Sequence, residues 1–300
     1  MPGAADLLLN ADDALRARSS LVFVEVAPWR APDGPGRGSG SIPGAVRTNV
    51  RADFAGTPTA SSGHLPLPDA DAVRRRAARW RGPEPRRIVL YTRNAAELAS
   101  ATRAWFTLTH AGVPDVSLLH GGLPAWVAAG GDVGTPARDA VGGEERDPGP
   151  VASSTPPLRV LDAAEAAEVA RLGTLLDGRP ASAFHGLVDH PRTGHIPGAV
   201  HAPAHEIVDD GGLLRPPAEL RRWMLARRAL GRHEVAAYCG GGVASSALVF
   251  LGALLSQPVA LYVDSWSGWE KDASLPVEQG VPHARPGAHD LDCLEDEPAA

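Results

Sequence analysis

The sequence predicts an α/β protein with two similar domains, each built on a mostly parallel sheet flanked by helices. Its 300 residues are enough for two domains of ordinary size, each with its own core. The segment "SIPGAVRTNV" (41–50) is echoed by "HIPGAVHAPA" (195–204), and "LLHGGLPAW" (118–126) is echoed by "LYVDSWSGW" (261–269). Within each half, short apolar runs alternate with helical patterns, which is typical of parallel strands connected by helices.

Two further pairs of segments occur in the same order in the two halves. The run "LVFVEVAPW" (21–29) matches "GTLLDGRPA" (173–181), and "RRIVLYTRN" (86–94) matches "HEVAAYCGG" (233–241). Each member of the second pair is a short β-prone run that ends in a loop. Four echoes in one order therefore predict a duplicated domain.

Helical patterns fill the segments between the predicted strands. Two of them cover 68–80 and 216–230, and the second opens with proline and ends before a glycine, as start and stop signals require. The basic stretch 74–87 carries alanine and tryptophan between its arginines, which is typical of a solvated helix face rather than a nucleic-acid site. The segment "SSALVFLGALLSQ" (245–257) is apolar nearly all round, so we expect a buried helix.

A segment rich in glycine, proline, serine and charge separates the two halves and predicts a linker. We place the first domain at 1–135, the linker at 136–154, the second domain at 155–285 and an acidic tail at 286–300.

Composition excludes several classes of function. A net charge of −6 gives no overall basic field for nucleic acid. The longest strongly apolar run (247–255) is too short to cross a bilayer, and the first twenty residues lack the pattern of a signal peptide. We therefore expect a cytoplasmic protein that binds neither nucleic acid nor a membrane.

One of the two cysteines occupies an unusual loop. Cys239 heads "CGGGVA", whereas Cys293 lies in the acidic tail, and two such residues cannot build a disulfide framework or a cysteine-rich metal site. Cys239 follows the strand-like "EVAAY" and precedes the predicted buried helix. It should therefore lie at the carboxyl end of a parallel strand, where sites form in α/β sheets.

The three glycines after Cys239 suggest a role for its sulfur. The thiolate is the reactive form of cysteine, and a free thiol with a pKa of about 8.5 is mostly protonated at neutral pH. Consecutive glycines let backbone amides turn onto one anion, and the following helix adds its positive end. We predict that the amides from Gly240 to Ala244 converge on the Cys239 sulfur. A buried cysteine beside a flexible turn is the structural alternative.

These motifs resemble a tandem-domain rhodanese sulfurtransferase. The second half carries the Cys239 loop with "LLDGRP" (175–180), "GHIPGAV" (194–200) and "DSWSGW" (264–269), while "SIPGAV" and "LLHGGLPAW" resemble the first half. That half lacks an active cysteine in the family, and Thr92 stands at the position of Cys239 here. The resemblance implies that Cys239 takes sulfur from a small-molecule donor, holds it as a persulfide and passes it to cyanide or a thiol. It implies no metal and no organic cofactor.

The resemblance also implies a set of substrate-binding residues, with Arg179 and Arg192 as candidate anion binders. Either arginine could instead form an ordinary ion pair. The backbone amides that would bind the persulfide belong to Gly240, Gly241, Gly242, Val243 and Ala244. The loop offers neither the cations of enzymes that use thiosulfate nor the serine of those that use 3-mercaptopyruvate, so both donors stay open.

Other positions depart from the family pattern. Ala183 replaces a usual arginine and Ala244 a usual threonine, and Ser245 could either replace the lost hydroxyl or cap the helix. His195 keeps its place before Ile-Pro-Gly, where we expect a structural turn, and Ser41 stands at that position in the first half.

Three alternatives compete with sulfur transfer. A cysteine phosphatase needs an arginine six residues after its cysteine, and Ser245 stands there. A degenerate member of the family could act as a non-enzymatic persulfide carrier or interaction module, as the missing arginine and hydroxyl suggest. Redox sensing by Cys239 and Cys293 rests on the two thiols alone.

Overall fold

The computed structural model describes residues 7–29, 40–83, 86–134, 158–187 and 189–280. The strands are β1 (Leu8–Leu9), β2 (Leu21–Ala27), β3 (Val46–Asn49), β4 (Arg87–Tyr91), β5 (Val116–Leu119), β6 (Val160–Leu161), β7 (Thr174–Asp177), β8 (Val200–His201), β9 (Val235–Tyr238) and β10 (Ala260–Tyr262). The α-helices are α1 (Ala11–Arg16), α2 (Val50–Phe54), α3 (Ala70–Arg81), α4 (Leu98–His110), α5 (Gly122–Ala128), α6 (Ala163–Leu172), α7 (Ala181–His185), α8 (Pro217–Ala226), α9 (Ala244–Leu254) and α10 (Ser265–Trp269).

The strands form two five-stranded sheets with the same connectivity. Their orders are β1-β5-β4-β2-β3 and β6-β10-β9-β7-β8, and every neighbouring pair is parallel. Helices connect the strands in each half, so the predicted α/β fold and its duplication are confirmed.

Strand register shows which residues correspond in the two domains. Glu25 pairs with Tyr91 across β2 and β4, as Asp177 pairs with Tyr238 across β7 and β9. The residue after each tyrosine is therefore equivalent, which places Thr92 at the position of the cysteine.

The helices follow local sequence signals with shifted ends. The side chain of Asp69 caps α3, which starts two residues later than predicted from 68–80. Helix α8 ends at Ala226 rather than near residue 230, because Arg228 adopts a left-handed φ of 54°. Helix α9 is buried from Ser245 to Gly252, as its apolar sequence predicted.

The two domains pack through α4 of the first and α9 of the second. The rings of Trp105 and Phe250 meet edge to face with their centroids 4.9 Å apart, and one apolar core includes residues of both helices. Beside this contact, the amide of Gly63 donates to Oδ1 of Asp264 at 2.8 Å. A β-carbon on Gly63 would lie 2.2 Å from the Asp264 carbonyl oxygen, so this approach requires glycine.

Within the described ranges, no helix is long and apolar enough to cross a membrane. The predicted linker 136–154, the predicted tail 286–300 and Cys293 lie outside those ranges.

Candidate active site

Cys239 lies directly after β9, at the carboxyl edge of the second sheet, and its residue surface is only 3% exposed. Its amide donates to Oγ of Ser265 at 3.2 Å, and its carbonyl accepts from the amide of Trp266 at 2.9 Å. The start of α10 therefore fixes the backbone of the cysteine, and the side chain faces the loop that follows.

That loop runs from Gly240 to Val243 and leads into α9. Gly242 has a φ of 78°, and a β-carbon there would lie 2.7 Å from the Val263 carbonyl oxygen, whereas a β-carbon on Gly240 would meet nothing within 4 Å. Among the described residues, no amide from Gly240 to Ala244 has a protein acceptor. Five consecutive amides before and at the start of a helix are thus without a protein acceptor, and their convergence on the Cys239 sulfur stays a prediction.

Ser245 supplies a side-chain donor to the same sulfur. Its hydroxyl is buried and donates to Sγ of Cys239 at 3.4 Å. Helix α9 begins at Ala244 with Val243 as its N-cap residue, and no side chain caps it. The cap interpretation of Ser245 was therefore wrong, and its hydroxyl lies at the thiol instead.

Arg179 forms a buried ion pair and does not present a free guanidinium. Its Nε lies 2.9 Å from Oδ1 of Asp177 and its Nη2 lies 2.5 Å from Oδ2, while the group also stacks 4.5 Å from the Trp266 ring centroid. Burial opposes the charge on Arg179, but the hydrogen bond and the charge of Asp177 outweigh it and raise the pKa of Arg179. The ion-pair alternative describes Arg179 in this structure, and its binding of a donor anion stays a prediction.

Arg192 also has a structural position. Its Nη1 donates to the Leu275 carbonyl oxygen at 2.8 Å, and its Nη2 donates to that of Asp272 at 2.8 Å. These bonds tie the loop before β8 to the segment after α10. Main-chain carbonyls accept from both terminal nitrogens, and the binding of an anion by Arg192 stays a prediction.

His195 occupies the structural turn expected from its motif. Its ring is fully buried, stacks on Phe184 with centroids 3.9 Å apart, and places Nδ1 2.9 Å from the Phe184 carbonyl oxygen. Burial lowers the pKa of His195, which favours the neutral ring. Ala183, which stands where the family usually has an arginine, lies on the exposed face of α7. This position therefore offers no second guanidinium beside Arg179, which is paired with Asp177.

The sequence analysis missed two residues that the first domain brings to the loop. His64 is exposed, its amide donates to Oγ of Ser267 at 2.9 Å, and its Cβ lies 3.8 Å from where a β-carbon of Gly241 would be. Arg103 is fully buried, and its Nη1 donates to the Gly242 carbonyl oxygen at 3.3 Å. An arginine inside the otherwise apolar helical pattern "ATRAWFTL" (101–108) was the available signal for Arg103.

The equivalent loop of the first domain has different hydrogen bonds. The side chain of Asn94 accepts from the Ala96 amide at 3.0 Å, and its carbonyl accepts from the Glu97 amide at 3.0 Å. Arg93 turns inward, with its Nε 2.6 Å from Oε1 of the buried Glu25. This turn therefore occupies the amides of Ala96 and Glu97, and the loop carries Thr92 in place of a thiol.

In the part of the chain that the structure describes, no three His, Cys, Asp or Glu side chains are grouped so that they could hold a metal ion.

Comparison with known proteins agrees with this geometry. The family model for the rhodanese-like domain matches residues 15–129 and 159–272. SseB of Mycobacterium tuberculosis strain H37Rv, whose name assigns it to the thiosulfate sulfurtransferases, is 30% identical over 268 residues, which are 84% of this chain and 89% of that protein. The 3-mercaptopyruvate sulfurtransferase of Escherichia coli strain K12 is 33% identical over 253 residues, which are 80% of this chain and 84% of that protein.

Solved structures share the same architecture. The crystal structure of SseA from Escherichia coli, described as a 3-mercaptopyruvate sulfotransferase of rhodanese fold, matches with a TM-score of 0.67 and 26% identity, covering 87% of this chain and 98% of that one. An anaerobic ergothioneine biosynthesis enzyme from Chlorobium limicola matches with a TM-score of 0.75 and 23% identity, covering 92% of this chain and 71% of that one. The second match shows a common fold.

Proposed function

The chain is a two-domain sulfurtransferase of the rhodanese family, and from this premise we propose that it transfers sulfane sulfur through a persulfide on Cys239. The observation that carries the proposal is the surroundings of the sulfur. Five amides without a protein acceptor directly follow one buried thiol in the chain, and the Ser245 hydroxyl donates to its sulfur. This arrangement suits an anionic sulfur, because backbone amides and a hydroxyl stabilise negative charge without adding a competing group.

In the first step, the thiolate of Cys239 attacks the sulfur of a small donor. With thiosulfate, the donor S–S bond breaks, sulfite leaves with the electron pair, and a new S–S bond forms on Cys239. With 3-mercaptopyruvate, the C–S bond breaks instead, and the pyruvate enolate that leaves takes a proton from water. In both cases the outer sulfur of the persulfide carries the charge that the amides of Gly240 to Ala244 would bind.

In the second step, a nucleophilic acceptor removes the outer sulfur. Cyanide or a thiolate attacks it, the S–S bond of the persulfide breaks, and Cys239 leaves as the thiolate that began the cycle. Because each half-reaction is complete before the next begins, we expect ping-pong kinetics.

We assign catalysis to the second domain (155–285) and a supporting role to the first (1–135). The first-domain loop supports this division, because Thr92 stands where the second domain has its thiol and the Asn94 turn occupies the amides of Ala96 and Glu97. Both donors fit the proposal. The relatives include proteins named for thiosulfate and for 3-mercaptopyruvate. The loop itself has no side-chain cation that would favour thiosulfate, which carries two negative charges.

Intact-protein mass spectrometry tests the mechanism directly. Wild type and Cys239→Ser are incubated separately with thiosulfate and with 3-mercaptopyruvate, and then treated with cyanide. We expect wild type to gain one sulfur, about 32 Da, with at least one donor and to lose it to cyanide, while the serine variant gains nothing, because only a thiolate can hold the sulfane sulfur.

The same experiment distinguishes the alternatives. A gain of sulfur that persists in Cys239→Ser would contradict the assignment of the nucleophile. If neither donor loads the wild type, the mechanism fails and a role as an interaction module replaces it. Loading without transfer to cyanide or to any thiol would identify a carrier.

A further inference from the structure

Arg103 is the one charged side chain that the first domain buries against the catalytic loop in the described part of the chain. It lies in the middle of α4, is 0% exposed, and is among the largest fully buried side chains of the protein. Its Nε donates to the Phe54 carbonyl oxygen at 3.3 Å, and its Nη2 donates to that of Leu65 at 2.7 Å. Its Nη1 reaches across the domain interface to the Gly242 carbonyl oxygen at 3.3 Å.

All of these acceptors are neutral. Among the described residues, no carboxylate pairs with Arg103, in contrast to Arg179, which Asp177 neutralises, and to Arg93, which Glu25 neutralises. Burial lowers the pKa of Arg103 to about 10, and the nearby Cys239 opposes this change, so the group stays positive at neutral pH. A buried cation without a counter-ion is costly, which makes a neighbouring anion favourable.

From this geometry we infer that Arg103 supplies the positive charge that the Gly-Gly-Gly loop lacks, and that it stabilises the thiolate and the persulfide anion of Cys239 from the other domain. The inference rests on the proposed function for the identity of the anion. Arg103 does not touch the donor substrate, so it is a positioning residue rather than a catalytic one.

Two physical effects combine in this role. The charge of Arg103 acts on the sulfur through a buried domain interface, where electrostatic interactions are stronger than in water. Its hydrogen bond to the Gly242 carbonyl also polarises the peptide between Gly242 and Val243, whose N–H belongs to the group of free amides.

The reactivity of Cys239 towards iodoacetamide, followed by intact mass from pH 5 to 10, measures this effect without any sulfur donor. All proteins carry Cys293→Ser, so that Cys239 is the only thiol. Arg103→Gln keeps donors for the carbonyls but loses the charge, Arg103→Met loses both, and Arg103→Lys keeps the charge. Arg74→Met is the matched control, because Arg74 also donates to a main-chain carbonyl, that of Ala111, at the far end of α4.

We expect the pH profile of alkylation to move up by about one unit in the neutral variants, which is a tenfold slower reaction near pH 7. Arg103→Lys and Arg74→Met should keep the wild-type profile. A folded Arg103→Gln or Arg103→Met with the wild-type profile overturns the inference and leaves a purely structural arginine.

Arg103→Lys is decisive if neither neutral variant folds. It keeps the positive charge with fewer donors, so a profile that moves up in this variant overturns the inference. Failure to form a persulfide with any donor would end the proposed function but would not alter these profiles, so the two outcomes are distinguishable.

Discussion

Two serines from different helices hold the two ends of Cys239. Oγ of Ser265 accepts from its amide, and the hydroxyl of Ser245 donates to its sulfur. Both serines are fully buried, so neither hydroxyl is shared with bulk water. Among the described residues, Ser245 is therefore the side chain that donates a hydrogen bond to the sulfur.

Ser245→Ala should slow sulfur loading without preventing folding. A hydrogen bond to a charged group is worth about 1.5–3 kcal/mol, so we expect the rate of loading by either donor to fall by about ten- to a hundredfold. This rate is measured by quenching the sulfur-loading reaction at a series of times and recording the mass of the intact protein.

Ser246→Ala is the matched control for that variant. The hydroxyl of Ser246 is buried in the same helical turn but donates to the Val243 carbonyl oxygen at 2.6 Å rather than to sulfur. Equal losses of rate in the two variants would show that Ser245 acts only by packing the turn.

The catalytic loop is a connection between a strand and a helix in which the glycines are not equivalent. Gly242 combines a left-handed φ with a β-carbon position blocked by the Val263 carbonyl, whereas Gly240 is open and has no positive φ. Only Gly242 is therefore required by the backbone itself, and Gly240 contributes its amide alone.

Gly242→Ala and Gly240→Ala separate these two roles. A left-handed alanine costs about 1–2 kcal/mol before the clash is counted, so Gly242→Ala should lower the melting temperature and reduce sulfur loading by more than about tenfold. Gly240→Ala keeps its N–H and should load at close to the wild-type rate. If Gly240→Ala is as inactive as Gly242→Ala, the loop needs space at residue 240 that this conformation does not explain.

Sequence reasoning could predict this element because its signals are contiguous. A β-prone run, a thiol, glycines and an apolar helix follow one another from residue 234 to 257, and each signal is local. The pairing of Arg179 could not be predicted in the same way. The sequence does not show whether a guanidinium is paired, although its partner Asp177 is only two residues away. The contact of Arg103 with Gly242 joins residues that are 139 positions apart and belong to different domains, so no local sequence pattern predicts it.

Across the whole molecule, the two domains share one apolar core. The largest cluster of buried residues contains side chains from both sheets, and Trp105 of α4 meets Phe250 of α9 within it. Arg103 lies two residues from Trp105 on the same helix. The packing that joins the domains therefore also holds the positive charge against the catalytic loop.

Differential scanning calorimetry tests this coupling with a pair of tryptophan variants. We expect wild type to unfold in one transition whose calorimetric and van't Hoff enthalpies agree, because a shared core makes the domains cooperative. Trp126 is buried beside Phe23 inside the first domain, so Trp126→Ala should lower the temperature of that single transition. Trp105→Ala removes packing worth about 3–5 kcal/mol at the interface and should split the transition in two. Two transitions in wild type would show that the domains are stable independently of this contact. One transition in Trp105→Ala would show that they are coupled through another contact.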